Sequence, residues 1–246
     1  MITGIYEGGL GNLMFQIAAG ICLALDNQDI YKLNPNRHIG RGQGNHISNY
    51  TNNIFSKIEK TDFISNNVFE HMSNTFKPIT YTEDICLRGY FQNFNYICQH
   101  QKHLKETFNF DYIEFNKIRE KKILTIHIRT GDYTQYEHFN IITKKYYENC
   151  LNKIDIEEYE IFLISDYPQL AQKYLPDIPY KIFHKSEIED MFLMSESDVC
   201  IISNSTFAWW GSFLGREKII YAPFKWNLND EEFKNIYTDN MVKVDF

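Results

Sequence analysis

The sequence predicts an α/β fold with parallel sheets covered by helices. Three observations carry this. The chain opens strand, glycine turn, helix; from residue 123 onward short β-rich runs alternate with helical runs; and 43% of the 246 residues are hydrophobic and 16% aromatic, enough to bury a sizeable core.

The opening strand is Thr3 to Glu7, broken at Gly8-Gly9-Leu10-Gly11. The helix that follows sets Met14, Ala18, Ile21, Cys22 and Leu25 at spacings of three and four, the period of one buried helical face. Asp29 to Leu33 reads as a second strand. Asn34 to Asn53 is polar, rich in Gly, Asn and His, and has neither period, which predicts a surface loop. Ile85 to Phe91 is strand-like, while Tyr96 to Phe108 and Asp111 to Lys121 read as helical or mixed. A boundary within residues 109–121 is expected, giving an N-terminal lobe 1–115 and a C-terminal lobe 116–246.

Past that boundary the alternation is clean. Strands are predicted at Ile123 to Ile128, Glu160 to Ile164, Tyr180 to Phe183, Val199 to Ile202 and Lys218 to Tyr221. Between them lie helices at Lys144 to Ile154, Pro168 to Leu175, Glu187 to Glu196 and Thr206 to Leu214. Such sheets bind ligands at the carboxyl ends of their strands, so function is sought in the residues just after each strand.

Composition removes several classes. Lys and Arg number 25 against 32 Asp and Glu, a formal charge of -7, so no global field attracts a nucleic-acid backbone and an anionic ligand needs a local positive site. The N-terminus lacks the basic and apolar regions of a secretory signal, and no apolar run reaches the roughly 18 residues of a membrane span. A cytoplasmic protein with no transmembrane segment is expected. The five cysteines, Cys22, Cys86, Cys98, Cys150 and Cys200, are scattered without a C-x-x-C pair, which fits reduced thiols better than a zinc site or a disulfide framework.

Three strand ends carry candidate chemistry. The first is Gly8-Gly9-Leu10-Gly11-Asn12, where glycine lets backbone approach a ligand and a helix N-terminus can face an anion. Met14 stands where the dinucleotide fingerprint has its third glycine, and a plain tight turn is an equal reading. The second is His127-Ile128-Arg129-Thr130-Gly131-Asp132-Tyr133. Alternation puts His127 and Arg129 on one face, and an arginine at a buried strand end needs an anion partner, for which a phosphate suits its planar fork of donors. The bland alternative is an ion pair between Arg129 and Asp132 with His127 a satisfied core histidine. The third is Ser203-Asn204-Ser205-Thr206, polar residues between a buried strand and an aromatic helix. One residue suffices as a cap, so Ser205 and Thr206 read as ligand contacts, while Trp209 and Trp210 read as core.

No D-x-D pair, His/Cys cluster, G-x-x-x-x-G-K-[ST] loop or G-x-S-x-G elbow occurs, so no metal site and no cofactor are expected.

Taken together, Gly8 to Gln16, Gly89-Tyr90-Phe91-Gln92, His127 to Tyr133 and Ser203 to Gly211 resemble glycosyltransferase family 11, the α-1,2-fucosyltransferases. The likeness runs from residue 4 to about residue 225. It implies a GT-B type fold of two Rossmann-like lobes with parallel sheets, the first on the acceptor side and the second binding the GDP-sugar. It also implies a metal-independent, inverting transfer from GDP-fucose to a glycan acceptor. By the same resemblance Arg129 binds the donor diphosphate, Gly9, Gly11 and Asn12 lie near the substrates, and Ser203, Asn204, Ser205 and Thr206 lie near the diphosphate. Asp132, His127 and Glu7 are the candidate general bases, in that order. Family members usually carry a second arginine where Thr130 stands, and glutamine where Leu13 stands. These departures keep open a non-catalytic nucleotide-sugar or glycan-binding relative; a dehydrogenase is disfavoured by the missing third glycine and by the second predicted strand running into Asn34 rather than ending in an acidic residue.

Overall fold

The computed structural model describes residues 1–246 apart from 41–43, 109, 112, 114–120, 132, 134–136, 140 and 246, with Asp230 described by its backbone alone. The chain divides into two compact units, Met1–Tyr112 with Glu231–Tyr237, and Ile113–Asp230 with Thr238–Phe246.

The first unit holds strands β1 (Thr3–Glu7), β2 (His38–Ile39), β3 (Asn67–Glu70) and β4 (Ile85–Arg88), with helices α1 (Leu10–Asp26) and α2 (Gln101–Thr107). The strands form a parallel sheet in the order β2-β1-β4-β3. Every residue of β1 is buried, as expected of a strand covered on both faces. Helix α1 packs Met14, Phe15, Ile17, Ala18 and Ile21 into this core. The buried Gln16 side chain fixes the strand-to-helix turn: its Oε1 accepts the Glu7 N–H at 3.0 Å and its Nε2 donates to the Glu7 carbonyl at 2.7 Å. Gly8 makes that turn at φ +88°, and an added Cβ would stand 2.5 Å from Asn12 Nδ2, so glycine is required on both counts. The return segment is tied in by the Phe94 N–H on the Asn235 carbonyl, 2.7 Å, and the Asn74 N–H on Glu232, 3.1 Å.

The expected strand Asp29 to Leu33 is reduced to single bridges at Tyr31 and Leu33. Strand β2 lies instead inside the stretch read as loop, paired through Tyr6 and Glu7. The span Asp111 to Lys121 falls largely outside the described residues.

The second unit contains β5 (Lys122–Ile128), α3 (Lys144–Leu151), β6 (Tyr159–Ser165), α4 (Pro168–Ala171), β7 (Lys181–Ile182), α5 (Glu187–Glu196), β8 (Val199–Ile201), α6 (Thr206–Phe213) and β9 (Ile219–Pro223). The short α7 (Asp230–Phe233) spans the junction, and β10 (Met241–Val244) ends the sheet. All six strands are parallel, in the order β10-β9-β8-β5-β6-β7. With β5 as first strand this is the 3-2-1-4-5-6 order of the dinucleotide-binding sheet, whose connections reverse direction between β5 and β8. Leu124, Ile126 and Ile128 face α3 and pack with Tyr146, Tyr147 and Cys150. The two tyrosine hydroxyls satisfy carbonyls where the ladder ends: Tyr146 donates to Ile202 at 2.6 Å and Tyr147 to His127 at 3.2 Å. Trp209 and Trp210 are fully buried core residues of α6.

Candidate active site

At the reversal point of the second sheet, β5 and β8 end side by side. The next residues of each strand are locked together by one hydroxyl. Ser203 Oγ lies 2.9 Å from His127 Nδ1 and accepts the Arg129 N–H at 3.3 Å. That oxygen has a second lone pair and a hydrogen, so it can accept from or donate to His127 Nδ1 according to the imidazole tautomer. Burial lowers the His127 pKa to about 4, with Arg129 adding to the effect and Asp166 opposing it, so the ring is neutral at neutral pH.

Arg129 is partly exposed, and its guanidinium carbon stands 5.5 Å from the centre of the Tyr133 ring. Among the described residues it has a carboxylate partner in Asp166, just past the end of β6, with Nη1 at 3.3 Å from Oδ2. Oδ2 is within ion-pair distance yet accepts no hydrogen bond among the described residues, so the contact is one of charge rather than a paired fork. Oδ1 accepts the Thr130 N–H and hydroxyl, each at 2.9 Å, and the Tyr167 N–H at 3.1 Å. Burial raises the Asp166 pKa, but Arg129 and the two Thr130 bonds outweigh it and hold the carboxyl below its ordinary value. Asp132 lies outside the described residues.

After β8, Ser203, Asn204 and Ser205 are buried and lead into α6. Asn204 braces two loops, donating from Nδ2 to the Phe139 carbonyl at 3.0 Å and to the Trp226 carbonyl at 2.8 Å. Both amide hydrogens are thereby engaged within the protein. Ser205 is the N-cap residue of α6, yet its side chain makes no capping bond. The Ser205 N–H itself donates to the Ser203 carbonyl at 2.8 Å, and the first turn of α6 begins at Thr206; a helix N-terminus at a strand end is a place that favours an anion.

Gly9, Gly11 and Asn12 belong to the first unit. Gly9 is the N-cap residue of α1, again without a side-chain cap, and Gly11 is buried inside the helix. Asn12 Oδ1 accepts from Gln92 Nε2 at 3.0 Å, which joins the first and second segments of the resemblance. Leu13 is fully buried. Glu7, at the end of β1, is 3% exposed, and neither carboxylate oxygen has a hydrogen-bond partner among the described residues.

Comparison with known proteins decides the family. Residues 8–245 match the family described as glycosyl transferase family 11. The chain belongs to this family. Among its relatives, an O-antigen biosynthesis glycosyltransferase of Escherichia coli, WbnK, is 28% identical over 93% of this chain and 95% of its own. An α-1,2-colitosyltransferase of Escherichia coli is 27% identical over 94% of each chain. The crystal structure of TibC, a bacterial iron-containing dodecameric glycosyltransferase from enterotoxigenic E. coli, superposes with a TM-score of 0.50 at 14% identity, covering 98% of this chain and 61% of that one. The fold of this family 11 member is thus GT-B type, two Rossmann-like lobes with parallel sheets.

Asp166 is the site residue that the sequence reading missed. It stands two residues past the predicted strand Glu160 to Ile164, and the strand-end rule applied to Ser165-Asp166-Tyr167 finds it. Among the described residues no helix is long and apolar enough to cross a membrane, and no three His, Cys, Asp or Glu side chains form a metal cage.

Proposed function

We propose that this family 11 protein transfers L-fucose from GDP-fucose to the 2-hydroxyl of a β-galactoside acceptor, with inversion and without a metal ion, in the cytoplasm. The observation that carries the reading is the Arg129 guanidinium and the uncapped N-terminus of α6 flanking the reversal point of a Rossmann sheet. Negative charge builds there as a diphosphate departs. The 2-linkage rests on the family resemblance and on the α-1,2-colitosyltransferase relative, whose name gives colitose as the sugar that it transfers.

In the proposed reaction the acceptor oxygen attacks the anomeric carbon of fucose as the bond from that carbon to the GDP oxygen breaks, and the bonding pair leaves with GDP. Arg129 and the N-terminus of α6, which starts at Thr206, receive the charge. His127 is buried with its Nδ1 bonded to Ser203, whose Oγ also accepts the Arg129 N–H, which suits holding the Arg129 backbone rather than accepting a proton. Asp132 and Glu7 are the remaining bases. Of these two, Glu7 is described: it is buried at the end of β1, and among the described residues neither carboxylate oxygen has a hydrogen-bond partner, which suits a group that takes up a proton.

Calorimetric titration with GDP tests the reading. One GDP per chain, with binding abolished in Arg129→Ala, supports it; a folded wild type that binds no GDP contradicts it.

A further inference from the structure

We infer that Asp166 is the positioning residue of the Arg129 guanidinium, clamped in that role by Thr130 and Gly131; this rests on the reading of Arg129 as the diphosphate ligand. With β5 as first strand, Asp166 stands after the second, where a dinucleotide-binding sheet places the carboxylate that reads a ribose hydroxyl. The bonding of its two oxygens points elsewhere.

Oδ1 is taken by the Thr130 N–H, the Thr130 hydroxyl and the Tyr167 N–H, with the Ser165 hydroxyl at 3.2 Å. These donors come from both sides of the strand pair, so the carboxylate cannot turn. Oδ2 is buried and stands 3.3 Å from Arg129 Nη1. A Cβ on Gly131 would lie 2.4 Å from Oδ2 and 3.1 Å from Tyr167 Cε2, so the loop backbone closes over that oxygen only because residue 131 is glycine. An oxygen covered in this way is shielded from a ribose hydroxyl, and its fixed charge sets the direction of the neighbouring guanidinium. Thr130 is fully buried and supplies two of the clamps.

The test is Asp166→Asn. The amide oxygen must still accept from Thr130 and Tyr167, so the new NH2 group takes the Oδ2 position and sets donors against the guanidinium. The Kd for GDP and the donor KM are expected to rise about tenfold or more, and kcat to fall about 10²-fold, as when an oriented donor is lost. Guanosine, which carries no phosphate, should bind the variant as it binds wild type, measured by ligand-observed NMR. Thr130→Ser, which keeps the hydroxyl, should retain GDP affinity, and Thr130→Val should shift it in the direction of Asp166→Asn. Wild-type GDP affinity and kcat in Asp166→Asn would overturn the inference, as would an equal loss of guanosine and GDP binding. So would discrimination against 2′-deoxy-GDP by wild type that vanishes in the variant, since that is the ribose-reading role. A wild type that binds no GDP overturns the functional reading and this inference with it, an outcome distinct from the others.

Discussion

Thr130 donates both its backbone N–H and its hydroxyl to one oxygen of Asp166, each at 2.9 Å. Position 130 is therefore turned into the gap between β5 and β6, where no room is left for a longer side chain. Thr130→Arg is expected to lose two hydrogen bonds and overfill the site, destabilising the protein by about 2–4 kcal/mol. GDP binding should weaken with it. Thermal unfolding and calorimetry check this; an unchanged Tm with tighter GDP binding would mean that the loop rotates residue 130 toward the ligand.

Arg129→Lys keeps the charge and loses the planar donor set. The expected result is a fall in kcat of about 10²- to 10³-fold under saturating donor, because a point-charge ammonium cannot reproduce a paired contact to phosphate oxygens. Wild-type turnover in this variant would remove Arg129 from the reaction.

His127 predicts an acid limb in stability. Its folded pKa of about 4 lies below its ordinary 6.5, so as pH falls from about 6.5 toward 4 the unfolded chain takes up a proton that the folded chain refuses. The stability present above pH 6.5 is lost through that window, by at most about 3 kcal/mol at 1.36 kcal/mol per unit. His127→Asn keeps an acceptor for Ser203 and removes the titration. Urea unfolding at pH 7 and pH 4.5 should show a smaller difference in the variant; an identical difference would place the acid limb elsewhere.

Much of the second lobe is legible in sequence because its strands are apolar runs bounded by helices. Ile123 to Ile128 announces β5, and the polar run before Thr206 announces the start of α6. The first lobe is less so. Strand β3 is a mostly exposed edge strand without alternation, and β2 is two residues long, held by pairing to Tyr6 and Glu7 rather than by its own composition. An ion pair of Arg129 with Asp132, which lies outside the described residues, is the kind of contact that local spacing displays. Asp166 comes from the neighbouring strand, and its approach depends on parallel register, which places Ile128 opposite Ser165.

Glu7→Gln should lower kcat by about 10²- to 10⁴-fold with donor KM little changed, the loss expected on removing a general base. Stability should hold, since the carboxylate has no described hydrogen-bond partner to lose. Steady-state kinetics alongside urea unfolding separates the two effects; wild-type kcat in Glu7→Gln would transfer the proton to Asp132.

Chelation tests the metal-free reading. EDTA should leave turnover unchanged, because the Arg129 guanidinium and the helix N-terminus take the place of a divalent ion. Activity lost to EDTA and restored by Mn²⁺ would contradict it.

The measurement that reaches the central claim most directly is GDP release from GDP-fucose in the presence of a panel of β-galactosides, with the product linkage read by NMR. The account predicts one GDP released per fucose transferred and an α-1,2-linked product. A folded protein that binds GDP yet releases none from GDP-fucose with any acceptor would contradict fucosyl transfer; turnover with a colitosyl donor in its place would move the reading to another sugar, and no turnover with either would leave a binding protein.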